Sequence, residues 1–137
     1  MDEVMRLLKA NTVMNLATSY NDRPRSSIME YIMVGDAMIF STDPESIKGR
    51  NLAKNPHVSL TVGNMPIFAA IDGTVTYAGP REVEEYNVEL IRRYPHFKEM
   101  MASGAMKFKH FKVEFDTAYY SDCSEGMGSA KVIKMGK

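Results

Sequence analysis

Arg25, Ser41, Thr42, Ser46 and Lys48 are the residues whose types and spacing suit one chemistry, the holding of a phosphate. Four of them fall in the run Phe40-Ser41-Thr42-Asp43-Pro44-Glu45-Ser46-Ile47-Lys48-Gly49-Arg50-Asn51-Leu52-Ala53-Lys54-Asn55-Pro56. It reads as a strand end, a polar turn and a short helix stopped by proline. Asp43 suits the N-cap and Pro44 the first helical position, where a missing N–H costs nothing. Hydroxyls and cations, Lys48 with Arg50 behind it, then surround the free N–H groups of a helix start, a setting for an anion. The same run equally describes a capped surface helix with solvated lysines, and alone it leaves both readings open. Asp43 counts against the anion, because its carboxylate competes for the same N–H groups.

Arg25 starts a strand whose expected hairpin partner ends at Thr42. Antiparallel pairing of those two would carry its guanidinium toward Thr42, Ser46 and Lys48. Other chemistries find little support. His57, His96 and His110 lack a Cys, Asp or Glu at ligand spacing, so no metal is expected. Cys123 stands between Asp122 and Glu125, which would raise its pKa and disfavour a nucleophilic thiolate. No Gly-x-Ser-x-Gly elbow, Gly-x-x-x-x-Gly-Lys loop or Gly-x-Gly-x-x-Gly turn occurs. No side chain stands out as a general acid or base, so catalytic residues stay unknown.

The elements that must position these residues are mostly strands. Asp2 to Lys9 predicts a short helix with Val4, Met5 and Leu8 on one face. Thr12–Ser19, Arg25–Val34, Ala37–Thr42, His57–Val62, Ile67–Ala78 and Lys107–Tyr120 read as strands, with a bend or bulge at Gly73. Arg81–Tyr94 is the strongest helix, with Val83, Tyr86, Leu90, Ile91 and Tyr94 as its apolar stripe; Phe97–Ala102 adds a short one. Six strands joined mostly by tight turns, with peripheral helices, predict a mainly β fold, an antiparallel barrel or strongly curled sheet. One domain over residues 1–137 is expected, with 121–137 as a loosely held tail or partner-contacting arm.

Lys+Arg and Asp+Glu are equal at 17 each, which leaves no charge footprint for nucleic acid or an anionic membrane. The charged first residues do not read as a secretion signal, no apolar run is long enough to span a bilayer, and the one cysteine fits a reducing compartment. A cytoplasmic protein is the expectation.

Taken together, Leu16-Ala17-Thr18-Ser19, Arg23-Pro24-Arg25-Ser26-Ser27, Phe40-Ser41-Thr42, Ser46-Ile47-Lys48, Asn51-Leu52 and Asn55-Pro56-His57-Val58-Ser59-Leu60 resemble the FMN-binding split β-barrel family related to pyridoxamine 5′-phosphate oxidase. The resemblance is close from about Val13 to Val62 and holds in outline for the strands at Ile67–Gly73 and Lys107–Tyr120. It implies a six-stranded antiparallel split β-barrel, a homodimer, and FMN at the subunit interface. By position, Arg25 and Lys48 would hold the FMN phosphate, with hydroxyls from Thr42 and Ser46. Ser26, Ser27 and Ile28 would lie along the ring and ribityl chain, and Ser41 stands where relatives often place an aromatic residue. The second subunit would supply the Met65–Ala70 region, with Phe68 or a neighbour replacing a flavin-contacting glutamine. Ile47 stands in place of a second phosphate-binding arginine, which leaves the anchoring weaker or reliant on Arg50. Glu30 stands in place of a lysine near the cofactor.

No tryptophan occurs, and the Trp- and Arg-containing segment with which the oxidase helps bind pyridoxamine phosphate is missing. The resemblance therefore implies an FMN-dependent oxidoreductase of unidentified substrate rather than the oxidase itself. The alternatives are a non-catalytic flavin carrier or sensor, or a binder of deazaflavin F420 or haem on the same barrel.

Overall fold

Period-two alternation of apolar residues builds the sheet. Val13–Tyr20 (β1) buries Met14, Leu16 and Thr18, and His57–Asn64 (β5) buries Val58, Leu60 and Val62. The computed structural model describes residues 2–104 and 107–136. Its other strands are Arg23–Glu30 (β2), Ile32–Val34 (β3), Ala37–Thr42 (β4), Ile67–Tyr77 (β6), Lys109–Asp122 (β7) and Lys131–Lys134 (β8). The helices are Asp2–Ala10 (α1), Ile47–Lys54 (α2), Pro80–Arg93 (α3) and Phe97–Ala102 (α4). Among the described residues no helix is long and apolar enough to cross a membrane.

All pairings are antiparallel, in the order β2-β1-β5-β6-β7-β4-β3. The two edge strands, β2 and β3, are successive pieces of one stretch, so the sheet curls into a half-barrel that is split at the residue between them. That residue is Tyr31. Its N–H donates to Thr12 O (2.9 Å) and its hydroxyl donates to Leu8 O (2.6 Å), which fixes the last turn of α1 in the split. Burial pushes the Tyr31 phenol up to about 12. Counting β2 and β3 as one bent strand, the six expected barrel strands are present, with β8 in addition.

Two expectations are corrected and one is met. The extended run over Arg25–Val34 is two strands with different partners, so Arg25 pairs with Thr18 of β1 and not with β4. The irregularity expected at Gly73 is present, with its extra residue on β7: Asp72 pairs with Thr117 but Gly73 with Phe115, leaving Asp116 unpaired between them. Phe111, Val113 and Phe115 therefore face the core before it, and Ala118 and Tyr120 after it. Gly73 must lack a side chain, because a Cβ would stand 2.5 Å from Glu114 O. The segment expected as a loose tail contains β8, which covers the second half of the β7 edge whose first half pairs with β4. Burial of Ile133, together with the Lys131–Glu3 ion pair at 3.1 Å, fixes β8 to the barrel.

α1 plugs one end of the barrel with Val4 and Leu8, both fully buried against the sheet core. Phe40 and Phe111 stack at 5.5 Å inside it. A second cluster joins α3 to the β3–β4 hairpin through Tyr86, Leu90, Ile32 and Ile39. Each such buried side chain contributes roughly 1.5–3 kcal/mol. This cluster sets where α3 stands relative to Ser41 and Glu30.

Candidate functional site

The turn after β4 is closed by its own side chains. Asp43 Oδ1 accepts from Glu45 N (2.9 Å), while Asp43 O accepts from both Ser46 N (3.1 Å) and Ser46 Oγ (2.7 Å). Ser46 Oγ then accepts from Gly49 N (3.1 Å) and lies 3.2 Å from Thr42 Oγ1. Ser46, in extended backbone, is thus the N-cap, and the helix starts at Ile47. This corrects the placement of Asp43 at the cap and Pro44 at the first helical position. Asp-Pro satisfies the rules for a turn as well as those for a cap, and here the carboxylate closes the turn. Asp43 therefore does not compete for the N–H groups at the start of α2.

α2 lies along β1. Asn51 Nδ2 donates to Thr18 Oγ1 (3.1 Å), Asn55 Nδ2 donates to Ser19 O (3.0 Å), and Lys54 Nζ stands 4.7 Å over the Tyr20 ring. Because Thr18 pairs with Arg25, the guanidinium stands beside the contact that docks α2. The route differs from the expected one, since Arg25 reaches the helix through β1. A cleft of about 620 Å³ results, lined by Tyr20, Asn21, Arg23, Pro24, Arg25, Ile47 and Asn51. Arg23 and Arg25 are exposed, and neither has an ion pair among the described residues.

The expected site residues divide as follows. Arg25 and Ser27 share the α2 side of β2 with Met29, whereas Ser26 and Ile28 alternate to the outer face, where Ile28 is 77% exposed. Thr42 and Ser46 are joined to each other at the helix start. Lys48 is half-buried and has no ion pair among the described residues, but it does not line the cleft. Arg50 is held by Glu45 at 3.7 Å and is not brought to it either. Phe68, on β6, is separated from β2 by β1 and β5, and one chain does not bring it to Arg25. Arg23 and Asn51 belong to the cleft without having been foreseen. Their sequence signals were ordinary ones, a turn residue and a polar helix position.

Ser41 belongs to a second cleft, of about 420 Å³, lined by Met29, Glu30, Ser41, Tyr86, Leu90, Tyr94, His96, Phe97 and Phe108. Its Oγ lies 3.0 Å from Tyr86 Oη, so the aromatic ring beside Ser41 comes from α3. Burial pushes the Tyr86 phenol up, and a hydrogen bond to Glu30 does the same for Tyr94. Burial lowers His110, whose ring meets Tyr86 edge-on at 5.1 Å. Glu30 accepts from Arg93 Nη1 (2.8 Å) on one oxygen and from the Tyr94 hydroxyl (2.7 Å) on the other. The Tyr86–Leu90–Tyr94 stripe read as core packing, and only Tyr94, left exposed at 37%, departs from that.

The two clefts meet on one strand. Arg25 and Met29 are on the same face of β2, roughly 13 Å apart at a rise of about 3.3 Å per residue. The first cleft offers the guanidinium groups of Arg23 and Arg25, and the second offers flat apolar walls. The first suits an anionic group and the second a planar apolar one.

A family model described as pyridoxamine 5′-phosphate oxidase matches residues 1–121. Over 91 residues the chain is 37% identical to the pyridoxine/pyridoxamine 5′-phosphate oxidase of Acidothermus cellulolyticus; this alignment covers 62% of the chain and 39% of that protein's length. Among solved structures, a heme binding protein from Mycobacterium smegmatis superposes with a TM-score of 0.72 at 16% identity, covering 96% of this chain and 56% of that one. An FAD-binding protein from Mesorhizobium loti gives 0.64 at 17% identity, covering 85% and 89%. At these identities the structural likeness shows the fold alone.

Proposed function

The chain belongs to the pyridoxamine 5′-phosphate oxidase family, and on that premise we propose that it is a homodimeric flavoprotein that holds FMN non-covalently and acts as an FMN-dependent oxidoreductase. The observation that carries this reading is Arg25, an exposed guanidinium without an ion pair among the described residues, standing in a cleft against the docked face of α2. The Asp43 carboxylate is turned onto Glu45 N and the first turn of α2 is capped by Ser46 instead, so no carboxylate occupies the helix start.

In this reading Arg25 and Lys48 hold the phosphate by charge-assisted hydrogen bonds, and Thr42 and Ser46 supply hydroxyls near the first turn of α2. Ser27, Met29 and the β2 backbone run beside the ribityl chain and ring. Bound FMN supplies hydride and single-electron transfer, which no side chain here offers. Tyr86 and Leu90 shut water out on the α3 side, and the Ser41–Tyr86 hydroxyl pair provides a fixed hydrogen-bond donor there.

The dimer is supported by the outer face of the sheet. Ile28, Asn15, Thr61, Ala70, Tyr119 and Val132 form one cross-strand row, in which Ile28, Tyr119 and Val132 are 77, 40 and 57% exposed. Phe68, on the same face, would join the site from the second subunit.

The absorbance spectrum of the purified protein tests the cofactor, and NAD(P)H oxidation with an electron acceptor tests turnover. Flavin bands that bleach with repeated turnover support the proposal. Bands without turnover point to a carrier or sensor. A Soret band, a deazaflavin spectrum, or a colourless protein indifferent to FMN overturns it.

A further inference from the structure

The second cleft also indicates what it would take. We propose that it binds a neutral, flat aromatic molecule with one hydrogen-bond acceptor, and that it rejects anions of the same size. The redox use of that molecule rests on the flavin reading above; its binding does not.

The walls argue for a flat apolar guest. Tyr94 and Phe97 meet edge-on at 5.9 Å, and His96 stacks on Phe97 at 4.6 Å, so the rings form a rigid corner. Phe108 stands 42% exposed at the cleft. Grouped exposed rings are relieved when an aromatic surface covers them, and about 420 Å³ is within the size of small-molecule sites.

Charge argues for neutrality. Among the described residues no lysine or arginine lines the cleft, and the one carboxylate that does, Glu30, is engaged on both oxygens. Arg93, the cation behind it, is 22% exposed and is neutralised by Glu30 at 2.8 Å and Glu89 at 3.6 Å. An anionic guest would lose its hydration and face Glu30 with no lysine or arginine among the described lining residues to compensate. Besides His96, whose ring stacks on Phe97, the polar pair Ser41 and Tyr86 uses one of its two hydroxyl hydrogens on itself and leaves the other for an acceptor on the guest.

A matched pair of probes tests this by calorimetry on the full chain at pH 8: 2-acetylnaphthalene, neutral with a carbonyl, and 2-naphthoate, its anionic counterpart. The ketone is expected to bind one per chain, and the naphthoate at least tenfold more weakly. Glu30→Gln, which removes the carboxylate facing the cleft and leaves Arg93 only its longer pair with Glu89, should strengthen naphthoate binding at least fivefold while changing the ketone less than twofold. The double variant Ser41→Ala/Tyr86→Phe should weaken the ketone five- to tenfold, as for a lost hydrogen bond. Circular dichroism and the urea midpoint confirm that each variant is folded. Equal binding of the two probes by the unmodified protein overturns the proposal, as does an unchanged preference in Glu30→Gln. Stoichiometric displacement of the ketone by FMN also overturns it, since the cleft would then belong to the flavin ring. A protein that ignores FMN but keeps the ketone preference sinks the flavin reading and leaves this one standing.

Discussion

Arg25 and Glu30, on one strand, have opposite surroundings. Arg25 keeps its charge available beside α2, while the carboxylate of Glu30 is engaged by Arg93 and Tyr94. Between Arg25 and the helix start stands Ile47, an exposed apolar residue lining a cleft assigned to an anion. Ile47→Arg should therefore tighten FMN binding by about fivefold, a modest gain for an added cation in a partly exposed setting. Unchanged affinity in a fluorescence titration would place the phosphate elsewhere. His110 carries a second residue-scale prediction. Burial sets its folded pKa below the ordinary 6.5, so the unfolded chain takes up the proton first as pH falls. The stability is whole above about 6.5 and declines below it. The Tm of the protein should drop between pH 7.5 and 5.5, above the carboxylate range, and should drop less in His110→Phe. Equal slopes for the two proteins would contradict this.

At the scale of elements, α2 works because its first turn is pressed onto the preceding turn. A Cβ on Gly49 would run into Asp43 O and stand 2.9 Å from Pro44 Cα. Gly49→Ala should lower stability by about 1–3 kcal/mol through this overpacking. It should also weaken FMN binding by shifting the helix start, and a wild-type urea midpoint with wild-type affinity would refute the account of the turn. The strands and helices themselves were legible, because alternation in β1 and β5 and the stripe of α3 follow directly from one buried face. Partner choice was not. Nothing in Glu30-Tyr31-Ile32 announces that pairing switches from β1 to β4 there, since Tyr31 is an ordinary strand residue until its hydroxyl meets Leu8 O. Ser46 and Asp43 both suit a cap, and only the fitted turn decides between them. β8 escaped notice because four residues among lysines and glycines form a strand only when β7 offers an edge.

The whole molecule is a barrel whose split places β2 at an edge, with its inner face toward α2 and its outer face continuous with β1, β5, β6, β7 and β8. The residues proposed for the phosphate stand out in the sequence by type alone, while the cleft that gathers Arg25, Ile47 and Asn51, and the aromatic one beyond it, depend on how the sheet curls. The row from Ile28 to Val132 on the outer face exposes Ile28, Tyr119 and Val132 on either side of the polar Asn15 and Thr61, and the dimer proposal predicts a charge at Ile28 to be disruptive. Ile28→Lys should sediment as a monomer at concentrations where the unmodified chain is a dimer, and an unchanged dimer would move the interface to another surface. The central claim is that FMN is held through Arg25 and Lys48, and calorimetric titration of FMN into the protein and its Arg25→Ala and Lys48→Ala variants tests it most directly. The account predicts one FMN per chain, with each substitution weakening binding by about 1.5–3 kcal/mol, the value of a lost charge-assisted hydrogen bond. No heat of binding, or the same affinity in all three proteins, would contradict it.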